Sequence, residues 1–174
     1  AVHVPLTDEA KREASEIMLA TKNLLKPAHG SPVTSPGKDM AWATYYMTVT
    51  FDEPDEKKIP SFASVSDAMY AFQTKHISLR NWIRLPIGKK NELTITTIGR
   101  VLVNEQFPEC IGYMNQVLGK KELGSVIKMS IEFEGTESTS GTLDKLKDLG
   151  FKYATLSGNS WGMANLPEVK GKTE

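Results

Sequence analysis

The chain has 174 residues, 40% hydrophobic and 24% charged, a balance that suits one folded domain and excludes a disordered tract. Its 21 basic and 21 acidic residues cancel, so no global field recruits nucleic acid or an anionic membrane, which argues against an autonomous DNA-binding domain. A single cysteine, Cys110, excludes an internal disulfide and a cysteine-rich zinc site. With no secretion signal and no apolar run near the roughly 20 residues of a membrane helix, the expected home is a reducing cytoplasm.

The opening AVHVPLTDEA lacks an initiator methionine and begins on an apolar, extended run. Free termini are usually polar, so the expectation is a chain cut from something longer, although processing would give the same start. Thr7 is a good N-cap, Asp8 and Glu9 suit a helix N-terminus, and Ala10, Ala14, Ile17, Met18, Thr21 and Leu25 recur at helical spacing, predicting a helix to about Leu25. Pro27, Gly30, Pro32, Pro36 and Gly37 make the next stretch a loop.

DMAWATYYMTV is apolar nearly all round and reads as a short buried helix, with Trp42, Tyr45 and Tyr46 as core. FDEPDEKKIPSF is a charged loop, and Ser64 with Asp67 forms a capping box for a third helix faced by Val65, Met69 and Phe72. The period then changes. Ile77, Leu79, Ile83 and Leu85 alternate with Ser78, Arg80, Trp82 and Arg84, predicting a half-buried strand. GKKN turns the chain and ELTITTI returns it, giving a hairpin, with a bend or bulge expected at Gly99. Three helices complete the chain: a short one at Met114, Val117 and Leu118, one on Leu123 to Ile131, and one on Leu143 to Leu149 closed by Gly150. The predicted class is α+β, helices flanking a small antiparallel sheet, with no internal repeat.

Motif by motif, self-contained catalysis fails. Gly158-Asn159-Ser160-Trp161-Gly162 matches the G-x-S-x-G nucleophile elbow, but that serine should follow a strand and precede its histidine. Here it follows a helix, and His3, His29 and His76 all lie upstream, so the pattern reads as a tight loop. GKT at Gly171 to Thr173 ends like a phosphate loop, yet Leu166 stands where that loop requires glycine. The histidines are scattered, the acidic run Glu53, Asp55 and Glu56 is solvated, and no metal site is expected. Arg80 and Arg84, beside Trp82, are the best candidates for nucleic-acid contact.

Several ordered stretches nonetheless resemble the largest subunit of multisubunit RNA polymerases in its bacterial β′ form. AVHVPLTDEAKREASEIMLATKNLLKPAHGSPV is similar to the segment after that family's NADFDGDQM metal loop, and SPGKDMAWATYYMT to its PSQD-led helix. TTIGRVLVNEQFPE resembles its TT-x-GR-x-x-x-NE-x-x-PE strand region, and NQVLGKKELGSVI, LDKLKDLGFKYAT and SGNSWGM follow in the family's order. The likeness covers residues 1–50 and 94–166; residues 51–93 carry little of it.

This resemblance implies a pore (secondary-channel) domain over 1–157 and the start of a funnel domain over 158–174. It makes SGNSWG a turn from pore to funnel, with Ser160 no nucleophile. No residue of the chain is catalytic on this reading: the three aspartates that hold magnesium in the family are absent, and the chain binds no cofactor although the parent enzyme uses magnesium. His3 and Pro5 would border the active centre, and Asn23, Lys38 and Asp39 would line the channel. Lys38 stands where the family usually has glutamine, and Leu156 where many relatives carry arginine. The implied partners are the remainder of β′, the β and α subunits, DNA, RNA and nucleoside triphosphates in the assembled enzyme, and transcript-cleavage factors entering through the channel. The rival reading is a free-standing, non-catalytic binding module derived from the pore fold.

Overall fold

Thr7 begins the first helix through its own hydroxyl. In a computed structural model of the chain, whose described residues are 2–88 and 92–167, Thr7 Oγ1 accepts from Ala10 N at 3.2 Å and α1 runs Asp8–Glu13. The single helix expected to Leu25 does not form. A π-helical segment Ala14–Met18 follows, Leu19 turns extended, and a 3-10 turn covers Ala20–Lys22. Packing explains the break: Ile17 and Met18 are exposed, so no tertiary contact holds the apolar stripe in register. Asn23 Nδ2 donates to Ile17 O at 2.6 Å and Leu19 O at 3.0 Å, satisfying carbonyls at the break.

Helix α2 spans Asp39–Thr48 and buries only Ala43, Thr44, Met47 and Thr48. Trp42 and Tyr45 are 39% and 48% exposed, so the expected all-round burial is corrected. Trp42 instead stacks on Tyr46, centroids 5.4 Å apart. Ser64 caps α3, Val65–Gln73, accepting from Asp67 N at 3.1 Å while its hydroxyl donates to Asp67 Oδ2 at 2.8 Å.

The hairpin is present. Strand β1, Trp82–Ile87, pairs antiparallel with β2, Glu92–Thr97, in the register Trp82↔Thr97 to Ile87↔Glu92. Gly88 enters the turn at φ +80, while Lys89, Lys90 and Asn91 of the expected turn lie outside the described residues. The strand starts later than its alternation suggests, because Ser78 N and Oγ both donate to Asn81 Oδ1 and fold residues 78–81 into a local turn. A short extended piece covers the other edge of β1, where Arg84 N donates to Pro60 O and Phe62 N to Arg84 O.

Gly99 marks neither bulge nor bend. Thr97 caps a helix there, α4, Ile98–Asn104, whose residues Ile98 to Val103 are all buried. A Cβ on Gly99 would lie 1.9 Å from Met47 O, so the absent side chain lets α4 press against the end of α2. The short helix expected around Met114 to Leu118 is likewise absent; the chain is irregular there after a 3-10 turn, Glu109–Ile111.

The last two predicted helices are both present; they lie within Lys120–Ser157, together called α5, and meet at Gly135, whose φ 82 and ψ 176 are not helical. Gly150 does not close α5. That residue is buried inside the helix, where a Cβ would stand 3.0 Å from Met40 Cα, and Gly158 takes the left-handed position instead. The core joins Met47, Ile83, Leu85, Ile98, Val103, Leu118, Leu123, Val126, Ile127 and Leu146. The arrangement is α+β, as expected, with helices around a two-stranded antiparallel sheet.

Candidate functional site

Two polar centres stand out, one inside the fold and one on its surface. The inner centre is built by Thr96, Thr97, Arg100 and Asn104, which the hairpin and α4 deliver to a single region. Arg100 is only 6% exposed. Its Nε donates to Thr48 O at 3.2 Å, its Nη1 to Asn115 Oδ1 at 3.1 Å and Asn115 O at 3.4 Å, and its guanidinium lies 5.0 Å from the Trp82 ring centre. Asn104 Nδ2 donates to Arg100 O and Met114 O, and its Oδ1 accepts from Met114 N at 2.7 Å. Asn115 Nδ2 donates to Ile95 O, Thr96 Oγ1 meets the Tyr113 hydroxyl at 2.7 Å, and Thr48 Oγ1 accepts from Leu118 N.

These bonds hold the irregular segment 113–118, which has no ladder of its own, and satisfy its backbone polar groups. Burial pushes the Tyr113 phenol up to about 12, against the opposing pull of its Thr96 bond and of Arg100. Burial also lowers the Arg100 pKa from its ordinary value. The TT-x-GR-x-x-x-N pattern is therefore a set of structural clamps.

The outer centre is an open cleft of about 740 Å³ between the start of α2 and the end of α5. Lys38, Asp39 and Trp42 form one wall, Phe151, Ala154 and Thr155 the other, and Asn159, Ser160 and Trp161 close the end. Gly158, at φ +61, turns the chain back toward α2 after α5 stops, which brings the last three residues to Lys38. Lys38 itself has φ 48 and ψ −122, a conformation sparsely used by residues other than glycine. The cleft offers a cation, a carboxylate, a hydroxyl, an amide and aromatic walls. No histidine lines it, and Ser160 follows a helix in exposed, non-helical backbone, so no nucleophile–base pair is assembled.

Lys38 and Asp39 thus share one cleft with the SGNSWG turn. Asn23 does not join them; its side-chain amide is committed to the break after α1. His3 and Pro5 are exposed in the extended lead-in. Arg80 precedes β1 rather than alternating along it, and lies 4.0 Å over the Tyr46 ring while its Nε donates to Tyr46 O at 2.9 Å. Arg84 is on β1, partly buried, so the two arginines do not share a strand face as the alternation suggested. Among the described residues no three histidine, cysteine or acidic side chains group as a metal site, and no helix is long and apolar enough to cross a membrane. Trp161, Phe151 and the Arg100–Trp82 pair escaped sequence reasoning. Only the proximity of GR to a hairpin tryptophan could have signalled the last.

Fold and sites together define a structural domain with a polar clamp inside and an open cleft outside. The family described as RNA polymerase Rpb1, domain 3, matches residues 23–166, and the chain belongs to it. It is similar to the DNA-directed RNA polymerase subunit beta′ of Desulforamulus reducens, 39% identical over 173 residues, covering 98% of this chain and 14% of that protein. The subunit beta′ of Aquifex pyrophilus is 40% identical over 174 residues, covering 99% and 11%. That of Acetivibrio thermocellus is 35% identical over 193 residues, covering 99% and 16%. The chain thus spans well under a fifth of the length of these relatives.

Proposed function

We propose that this chain is a segment of a bacterial-type RNA polymerase β′ subunit that supports DNA-templated RNA synthesis by shaping the secondary channel. The observation that carries this reading is the convergence of Lys38, Asp39, Asn159 and Ser160 on one cleft, within a chain that matches the family across 23–166. Residues 1–157 act as the pore domain and 158–174 begin the funnel. His3 and Pro5 border the active centre, Lys38 and Asp39 line the passage, and Asn23 holds the backbone that enters it. Arg84, with Arg80 braced on Tyr46, is the candidate contact to nucleic acid.

The chain itself contributes positioning. Phosphoryl transfer to a growing RNA depends on metal ions and orientation, and the magnesium belongs to residues of the parent enzyme outside this chain. The remainder of β′, β and α subunits are the partners, with DNA, RNA and nucleoside triphosphates in the assembled enzyme, transcript-cleavage factors at the channel, and the cytoplasm as location.

The test is reconstitution. Co-expressed with the complementary β′ segments, β and α, the chain should co-purify with them and restore RNA synthesis. In that assembly Lys38→Gln should change nucleotide KM more than kcat. Failure to associate with β and α would overturn the reading and favour a free-standing module.

A further inference from the structure

Asn159 differs from the other described asparagines in having nothing to hold its side chain. Asn23 donates its amide to Ile17 O and Leu19 O, and Asn81 Oδ1 accepts from Ser78 N and Oγ. Asn104 and Asn115 use both ends of their amides, Asn104 with Arg100 O and the Met114 backbone, Asn115 with Ile95 O and Arg100 Nη1. Asn165 Oδ1 accepts from Gly162 N at 2.9 Å. The Asn159 side chain makes no hydrogen bond among the described residues; only its backbone N is held, donating to Ser157 Oγ at 3.2 Å.

The following residue matters as much. Asn159 precedes Ser160, whereas Asn23, Asn81, Asn104, Asn115 and Asn165 precede Leu24, Trp82, Glu105, Gln116 and Leu166. Ser160 N donates to no acceptor among the described residues, and both residues are exposed in irregular backbone just past the left-handed Gly158. A backbone amide engaged in a helix or turn is not free to attack a neighbouring side chain. A bulky following residue also crowds the small ring that such an attack closes. Asn159 alone among the described asparagines escapes both restraints.

We propose that Asn159–Ser160 is a self-modifying site that converts an amide of the cleft into a carboxylate. The Ser160 amide nitrogen, having lost its proton to solvent base, attacks Asn159 Cγ. A Cγ–N bond forms, the Cγ–Nδ2 bond breaks, and Nδ2 leaves as ammonia after taking a proton from water. Water then adds to one carbonyl of the cyclic imide and breaks its C–N bond, leaving aspartate or isoaspartate. Nothing is oxidised or reduced, and water is the sole co-reactant. The place gives the change its effect. Asn159 shares the cleft with Lys38 and Asp39, whose charges cancel. The product adds a negative charge within the field of Lys38, and its isoaspartate form lengthens the backbone of the turn and re-aims Ser160 and Trp161. The reaction needs only the chain and water, so it is independent of any role in transcription.

The test follows the 174-residue chain at neutral and mildly alkaline pH by ion exchange and by peptide mapping with fragment-ion mass spectrometry. An acidic form should accumulate, faster at the higher pH because the amide attacks as its anion, and should co-elute with the Asn159→Asp variant. The replacement of NH2 by OH should map to Asn159 while Asn165, in the same tryptic peptide, stays an amide, and isoaspartate should accompany aspartate. Ser160→Ile keeps the asparagine but sets a stiff β-branched side chain beside the ring, and should slow the conversion several-fold. Ser160 is exposed, so this substitution leaves the fold intact. Deamidation of another asparagine before Asn159, conversion as fast in Ser160→Ile as in wild type, or aspartate as the sole product would each overturn the proposal. The first and last of these outcomes are read from the wild-type chain alone.

Discussion

Replacing Gly99 with alanine places a methyl group 1.9 Å from Met47 O, 2.8 Å from Met47 C and 3.2 Å from Met47 Cα. All three are backbone atoms, so no side-chain rotation relieves the clash; α4 and the end of α2 must separate by more than about 1 Å to restore ordinary contact distances. Such overpacking costs about 1–3 kcal/mol, and a shift of that size also stretches the 3.2 Å bond from Arg100 Nε to Thr48 O, worth about 1 kcal/mol more. The expected loss is therefore about 2–4 kcal/mol. Urea unfolding measures it: with a slope of about 2 kcal/mol per molar, the midpoint should fall by about 1–2 M. Gly141→Ala is the control, since its Cβ would meet nothing within 4 Å on an exposed helical turn. That change should stabilise by about 0.5–1 kcal/mol. A Gly99→Ala protein within about 0.5 kcal/mol of wild type would refute the close-approach argument.

Tyr113 predicts an alkaline loss of stability. Its folded pKa lies above the ordinary 10.0, so the stabilisation is complete below pH 10 and disappears as pH rises toward about 12, amounting to about 2–3 kcal/mol. Unfolding measured across that window should be steeper in wild type than in Tyr113→Phe, with Tyr153, also raised by burial, contributing equally to both. Gly135→Ala forces a side chain onto φ 82, ψ 176, and should cost about 1–3 kcal/mol or straighten α5, visible as a change in helical circular dichroism. Ser160→Ala should leave any background ester hydrolysis unchanged; a large loss would mean that the SGNSWG turn had been misread. The isolated chain should bind short single-stranded RNA no better than about 10⁻⁴ to 10⁻⁶ M at physiological salt, and nanomolar affinity lost in Arg80→Ala/Arg84→Ala by fluorescence titration would overturn the channel-wall reading.

Local chemistry was legible wherever one short stretch decides the outcome. Thr7 and Ser64 cap helices through their own side chains, and ELTITT pairs with WIRLPI because β-rich runs flank a turn signal. The ordered motifs pointed to the family without a contact being known, but that Lys38 and Asp39 share a cleft with the SGNSWG turn came only from the fold. Glycine was where local reading failed, since its role is set by what approaches it. Gly99 and Gly150 sit in helices because Met47 and Met40 come too close for a side chain, whereas Gly135 and Gly158 supply the left-handed backbone. The segment 113–118 looked helical by spacing, but its polar groups are claimed by Asn104, Arg100 and Thr48 from as far as 70 residues away. Those long-range bonds, and the cleft that forms only when Gly158 turns the chain back toward α2, depend on tertiary approach. Periodicity records which face of an element is apolar; it does not record which distant backbone will arrive there.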